Sequence, residues 1–185
     1  MRIVLASASP RRQELLRNAG IDFVVQPANI EEVRLAAETA TDFAERMARE
    51  KAQAVREFGP EGWILAADTV VVVADQVLGK PADENDASRM LRLLAGREHQ
   101  VITGVCLLGA DFEDVRFEST TVHFSPMTYA DVRDYIATGE PMDKAGAYAI
   151  QGVASRWVSK IEGDYSNVVG LPVDLVWRML HEHGG

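Results

Sequence analysis

Cysteine is almost absent: Cys106 is the only one in 185 residues. A single thiol cannot close an intrachain disulfide or assemble a cysteine-based metal site, and a reducing compartment suits such a chain. Long apolar runs are missing as well. The longest nearly apolar stretch, Trp63 to Ala74, carries Asp68 and falls well short of the roughly 18 residues that read as a membrane span. Met1 to Leu5 meets polar residues too soon for a signal peptide. Secretion and membrane insertion are therefore disfavoured, and the cytoplasm is the expected compartment. Basic residues are outnumbered, 19 Lys and Arg against 28 Asp and Glu, for a formal net charge of −9. A body of that sign repels polyanions, which excludes a nucleic-acid scaffold but leaves room for a local pocket that takes a small anion. Phosphate-loop, dinucleotide-fingerprint, nucleophile-elbow and paired-histidine zinc motifs are all lacking.

What is present is an ordinary globular composition, 47% hydrophobic, with glycine and proline scattered rather than clustered. One domain over residues 1–185 is expected. Arg2 to Leu5 is β-rich and stops at Ala6-Ser7-Ala8-Ser9-Pro10, after which Arg11 to Asn18 follows helical spacing with Leu15 and Leu16 inward. Ser9 suits the N-cap, Pro10 the first helical position and Gly20 the stop. Asp22 to Gln26 reads as a second strand. Thr41 or Asp42 is placed to cap a long helix to about Phe58, with Phe43, Met47 and Val55 inward. Trp63 to Asp75 has the β-branched, apolar make-up of a strand buried on both faces, with Gln76 to Leu78 as a short neighbour. A helix around Ala87, Met90, Leu91 and Leu94 stops at Gly96, and His99–Leu108 and Val115–Phe124 read as paired strands. Thr128 and Asp131 have the form of a capping box for a helix to Ala137, and a last helix runs from Pro172 to about His181. Interleaved strands and helices without repeats predict a single α/β unit with a mixed sheet.

Four places carry chemistry. Ser7, Ser9, Arg11 and Arg12 lie where a strand hands over to a helix N-terminus, an arrangement that suits phosphate. The competing reading is a capped surface helix with solvated arginines, although two cations there oppose the helix dipole unless an anion joins them. Asp68 is the second: a carboxylate in a buried strand needs an ion, a metal or hydrogen bonds, so it either does chemistry or satisfies backbone N–H groups at a strand end. Lys51, Lys80 and Lys144 are individually ordinary, but with the arginines they could surround a polyphosphate, and Glu31 and Glu32 could add metal-binding oxygens. The glycine-rich stretch from Gly139 to Gly152 reads by default as a flexible connection, and its Gln151 offers both a donor and an acceptor that could read a base edge.

Leu5-Ala6-Ser7-Ala8-Ser9-Pro10-Arg11-Arg12, Arg49-Glu50-Lys51-Ala52, Ala67-Asp68-Thr69-Val70-Val71, Gly79-Lys80-Pro81, Thr103-Gly104-Val105, Asp143-Lys144-Ala145-Gly146-Ala147-Tyr148 and Asn167-Val168-Val169-Gly170-Leu171-Pro172 occur in this order. The series resembles the Maf family over essentially the whole chain. The resemblance implies an α/β Maf-like fold related to inosine-triphosphate pyrophosphatases, a mixed sheet flanked by helices with two lobes around a deep cleft. It implies hydrolysis of a nucleoside triphosphate to the monophosphate and pyrophosphate with a divalent cation, Mg²⁺ or Mn²⁺. It implies Asp68 as catalytic base, Arg11, Thr69 and Gln151 as specificity residues, Ser7, Ser9, Arg12, Lys51 and Lys80 around the phosphates, and Glu32 with Asp68 on the metal. Ser9-Pro10-Arg11, Ala67-Asp68-Thr69 and Gln151 match the branch acting on dTTP and UTP, with modified pyrimidine nucleotides as further candidates. A homodimer is expected on the resemblance alone. The rival function class is a nucleotide-binding regulator of septum formation that acts without turnover.

Overall fold

The computed structural model describes residues 2–184. In chain order the elements are β1 (Ile3–Leu5), α1 (Pro10–Asn18), β2 (Phe23–Val25), α2 (Ala40–Arg56), β3 (Trp63–Val73), β4 (Gln76–Leu78), α3 (Glu84–Leu94), β5 (Glu98–Leu108), β6 (Glu113–Phe124), α4 (Tyr129–Ile136), β7 (Val158–Glu162), α5 (Tyr165–Val169) and α6 (Val173–Glu182). Short 3₁₀ turns at Glu140–Asp143, Ala145–Ala147 and Val153–Arg156 fill the connection from α4 to β7. The strand order is β2-β1-β3-β5-β6-β7, with β4 paired to β3. Among the described residues no helix is long and apolar enough to cross a membrane.

The chain divides into two compact units. The first contains the residues up to Asp68, Thr103–Glu118 and those from Gly170 onward; the second contains Thr69–Ile102 and Ser119–Val169. Strands β3, β5 and β6 each give one half to each unit.

In the first unit β2 and β3 both run parallel to β1, with Leu5 opposite Val25 and Leu65. Parallel neighbours need crossovers, and α1 and α2 supply them. The strands are apolar on both faces because both are covered. Ile3, Leu5, Leu65, Ala67, Val105 and Leu107 pack with Leu16 of α1 and with Leu175, Val176, Met179 and Leu180 of α6. Val4, Ala6, Ile64, Ala66, Cys106 and Leu108 face Ala48, Ala52 and Val55 of α2. The alternation is the period-2 rule of a strand. Helix α2 rests almost directly on β5: a Cβ at Gly104 would lie 2.3 Å from the Ala44 carbonyl oxygen. Its cap is Thr39, whose Oγ1 accepts from the Asp42 N–H at 3.1 Å, and it ends at Arg56. The sequence reading placed that cap two or three residues too late because Thr39, Thr41 and Asp42 are all good cap formers, and only one closes the hydrogen bond.

In the second unit β3 turns back into β4 through Ala74 and Asp75, both left-handed at φ 47° and 61°, and Val73 pairs with Gln76. Two consecutive positive φ values are what a two-residue hairpin of this hand requires. β7 runs antiparallel to β6 with an irregularity between His123 and Phe124. The capping box of Thr128 and Asp131 on α4 is present as expected. Strand β7 and helix α5 were not foreseen, each being only five residues long.

His99 is 2% exposed, hydrogen-bonded through Nε2 to Tyr148 Oη at 2.8 Å, and packed against the Phe124 ring. Burial, and secondarily the charge of His123, holds its pKa at about 4. The unfolded chain, with a histidine near the ordinary pKa of about 6.5, therefore binds the extra proton first as pH falls. The His99 contribution to unfolding free energy should be constant above about pH 6.5 and fall by about 3 kcal/mol as pH drops toward 4. Denaturant titrations across that range, repeated with His99→Gln, would show the acid limb shrink in the variant; an equal limb in both would place its origin elsewhere.

Candidate active site

The site grows out of the end of β1. After Leu5 the chain leaves the sheet through Ala6-Ser7-Ala8-Ser9 and enters α1 at Pro10, the position where a missing N–H costs nothing. Ser9 Oγ caps the helix by accepting from the Arg12 N–H at 3.4 Å. Ser7 Oγ accepts from the Ser9 N–H at 3.3 Å and from Arg12 Nη1 at 3.2 Å. Arg12 turns back into the protein: Nε donates to the Gly170 carbonyl and Nη1 to the Ala67 carbonyl, both at 2.8 Å. The same guanidinium thus ties the Ser7 loop to β3 at the residue before Asp68 and to the segment that leads into α6. Burial lowers its pKa, opposed by the charge of Asp68.

Asp68 is 5% exposed. Its partner comes from α2, where Ala44, Ala48, Lys51, Ala52 and Val55 form the buried stripe and Lys51 is the one charged member. Lys51 Nζ lies 2.6 Å from Asp68 Oδ1 and 2.6 Å from Glu32 Oε1. One ammonium therefore sits between two carboxylates, and burial strengthens both pairings while making an unpaired member costly. Glu32 comes from the long loop between β2 and α2 and keeps 38% of its side chain exposed.

The first unit thus gathers Ser7, Ser9, Arg12, Glu32, Lys51 and Asp68, with Arg11 on the first turn of α1. Thr69, Lys80 and Gln151 belong to the second unit. Thr69 is the next residue of β3; Lys80 is exposed just after β4, where the Gly79 carbonyl accepts from the Gly146 N–H at 3.0 Å; Gln151 is exposed in a turn closed by the Gly152 N–H donating to the Ala149 carbonyl at 3.0 Å. Lys144 is engaged locally, donating to the Glu140 carbonyl at 2.7 Å and pairing with Asp143. The Gly139 to Gly152 stretch is not a loose connection: it contains two of the 3₁₀ turns, the Tyr135 side chain of α4 bonds to its backbone at Ala149, and Glu140 bonds to the backbone of Val153 just beyond it. Those bonding residues, Tyr135 and Glu140, were not singled out from the sequence. Among the described residues no group of three or more His, Cys, Asp or Glu side chains is assembled as a metal site.

The α/β architecture is that of the Ham1 proteins. The Staphylococcus aureus Ham1 protein aligns with a TM-score of 0.56 at 15% identity, covering 99% of this chain and 100% of that one. A HAM1 protein from Coxiella burnetii aligns with a TM-score of 0.52 at 19% identity, covering 98% and 99%. Within that architecture the sequence is more specific: the family model for Maf-like proteins matches residues 2–183, and the chain belongs to the Maf family. A Koribacter versatilis protein named dTTP/UTP pyrophosphatase is 54% identical over 184 residues, covering 100% of this chain and 95% of its own. Proteins of the same name from Symbiobacterium thermophilum and Syntrophomonas wolfei are each 50% identical over 182 residues, covering 98% and 97% of this chain and 94% and 96% of their own.

Removing the Lys51 ammonium leaves a buried carboxylate without its partner. Lys51→Met should lower unfolding free energy at pH 7 by about 3 kcal/mol, and adding Asp68→Asn to it should restore part of that loss. Urea denaturation of the two variants checks this. Unchanged stability in Lys51→Met would mean that the burial of Asp68 does not depend on the ion pair.

Proposed function

We propose that this Maf-family protein is a nucleoside triphosphate pyrophosphatase that hydrolyses dTTP and UTP to the monophosphate and pyrophosphate, in the cytoplasm. The substrate follows from the full-length similarity to relatives of that name. The chemistry rests on one observation, the buried Asp68 carboxylate held by Lys51 against Glu32 beside a serine-lined helix entrance.

In this reading Ser7, Ser9, Arg11, Lys51 and Lys80 receive the triphosphate, and Arg12 adds positive charge while its hydrogen bonds hold Ser7 in place. Asp68 takes a proton from water, the water oxygen bonds to the α-phosphorus, and the bridging Pα–O bond breaks so that pyrophosphate leaves. Positioning and charge neutralisation dominate, since no covalent intermediate is required. Glu32 and Asp68 are the residues that would hold a divalent cation such as Mg²⁺ or Mn²⁺. Their oxygens suit hard cations and already converge on one positive charge, that of Lys51. When bound, such an ion would supply neutralisation of phosphate charge. Arg11, Thr69 and Gln151 select the nucleotide: an amide can donate to a pyrimidine O4 and accept from N3–H, as uracil and thymine both require.

Pyrophosphate and orthophosphate release should be assayed separately on dTTP, UTP, CTP, GTP and 7-methyl-GTP with Mg²⁺ or Mn²⁺. Pyrophosphate from dTTP and UTP is expected, reduced at least about 100-fold in Asp68→Asn while the variant stays folded. Wild-type turnover in Asp68→Asn would remove Asp68 as base; no pyrophosphate from any nucleotide would remove the enzymatic reading.

A further inference from the structure

The turn that carries Gln151 is held at both ends by one hydrogen-bonded pair of side chains. Tyr135, on α4 and 1% exposed, accepts from the Ala149 N–H through Oη at 3.1 Å and donates to Glu140 Oε1 at 2.7 Å. The other oxygen, Glu140 Oε2, accepts from the Val153 N–H at 3.2 Å. Ala149 stands two residues before Gln151 and Val153 two residues after it. Between these anchors Ile150 is buried and Gln151 is exposed, so the turn presents the amide outward while its neighbour is pinned inward.

Two further observations show that this backbone is closely constrained. A Cβ on Gly152 would lie 2.2 Å from Glu140 Oε2, so a larger residue there would displace the carboxylate. Just upstream, Gly146 and Ala147 are both left-handed, at φ 70° and 60°. An alanine in that region is uncommon and persists where surrounding bonds over-determine it.

The geometry points to Tyr135 and Glu140 as positioning residues for nucleobase selection: they fix the direction in which Gln151 presents its amide and touch no reacting atom. A base-reading amide discriminates only if it is held within a few tenths of an ångström and about 10–20° of its bonding geometry. Loss of either anchor lets the turn sample other orientations. The pyrimidine that depends on the amide then binds less well, whereas a nucleotide that does not use it is unaffected. The inference rests on Gln151 as the base-reading residue of the proposed reaction.

Steady-state kinetics on UTP and GTP test it, with Tyr135→Phe, Glu140→Ala, Glu140→Gln, Gln151→Ala and the double variant Tyr135→Phe/Gln151→Ala. The kcat/KM ratio of UTP over GTP should fall about tenfold in Tyr135→Phe and in Glu140→Ala, through a higher KM for UTP with kcat little changed. Glu140→Gln, which keeps an acceptor for the Val153 N–H, should recover part of the ratio. The double variant should be no less selective than Gln151→Ala alone, because the anchors act through that side chain. Exchange of the Ala149 and Val153 amide hydrogens should accelerate in Tyr135→Phe and Glu140→Ala, a readout independent of turnover. A lowered ratio in Gln151→Ala with an unchanged ratio in the anchor variants would overturn the positioning role. So would equal losses on both nucleotides, or unchanged amide exchange. An unchanged ratio in Gln151→Ala would instead remove Gln151 as the base reader, and the positioning role with it.

Discussion

The Lys51–Asp68 ion pair is the constraint on which the site depends. A carboxylate inside a sheet covered on both faces is tolerable only with a partner of opposite charge at hydrogen-bond distance, here 2.6 Å. The partner has to arrive from the face that α2 covers, and a lysine can reach only if the helix lies close to the strands. Ala44, Ala48 and Ala52 on the helix and Gly104 on β5 make that approach possible, since a methyl group at Gly104 would collide with the helix backbone. The small residues of this interface therefore serve the ion pair as much as the core. Glu32 joins the same ammonium from a loop, so a buried ion pair becomes a partly open charge cluster with oxygens of the kind a hard cation accepts.

The arginine pair at the start of α1 divides its work in a way that charge alone does not suggest. Two cations at a helix N-terminus oppose the dipole. Arg12 is turned inward and used as a clamp on the Ala67 and Gly170 carbonyls and on Ser7. Its bond to the Ala67 carbonyl fixes the backbone one residue before Asp68, so the serine loop and the carboxylate are held by the same side chain. Relative to the proposed reaction, the loop that receives phosphate and the group that activates water are thus linked through a single guanidinium.

Much of the framework was legible because its signals are periodic or local. β1, β3 and α6 follow from apolar spacing, α1 from Ser9-Pro10, and α4 from its capping box. Asp68 stood out as the lone charge in an apolar strand, whereas Lys51 drew only weak attention because lysine is ordinarily a surface charge. Its position on the α2 stripe of Ala44, Ala48 and Val55 was the available clue. Glu32 lies in a loop with no periodicity, and its nearness to Lys51 is a tertiary fact. The anchors of Gln151 were hidden for the same reason: the bonds from Tyr135 to Ala149 and from Glu140 to Val153 join residues 13 or 14 apart through a run of turns that glycine content alone reads as slack.

The most direct test of the account is hydrolysis of dTTP in ¹⁸O-labelled water with mass analysis of both products. Attack of water at the α-phosphorus, the proposed reaction, puts one labelled oxygen into the monophosphate and leaves the pyrophosphate unlabelled. Label in the pyrophosphate, or orthophosphate as the first product, would contradict it.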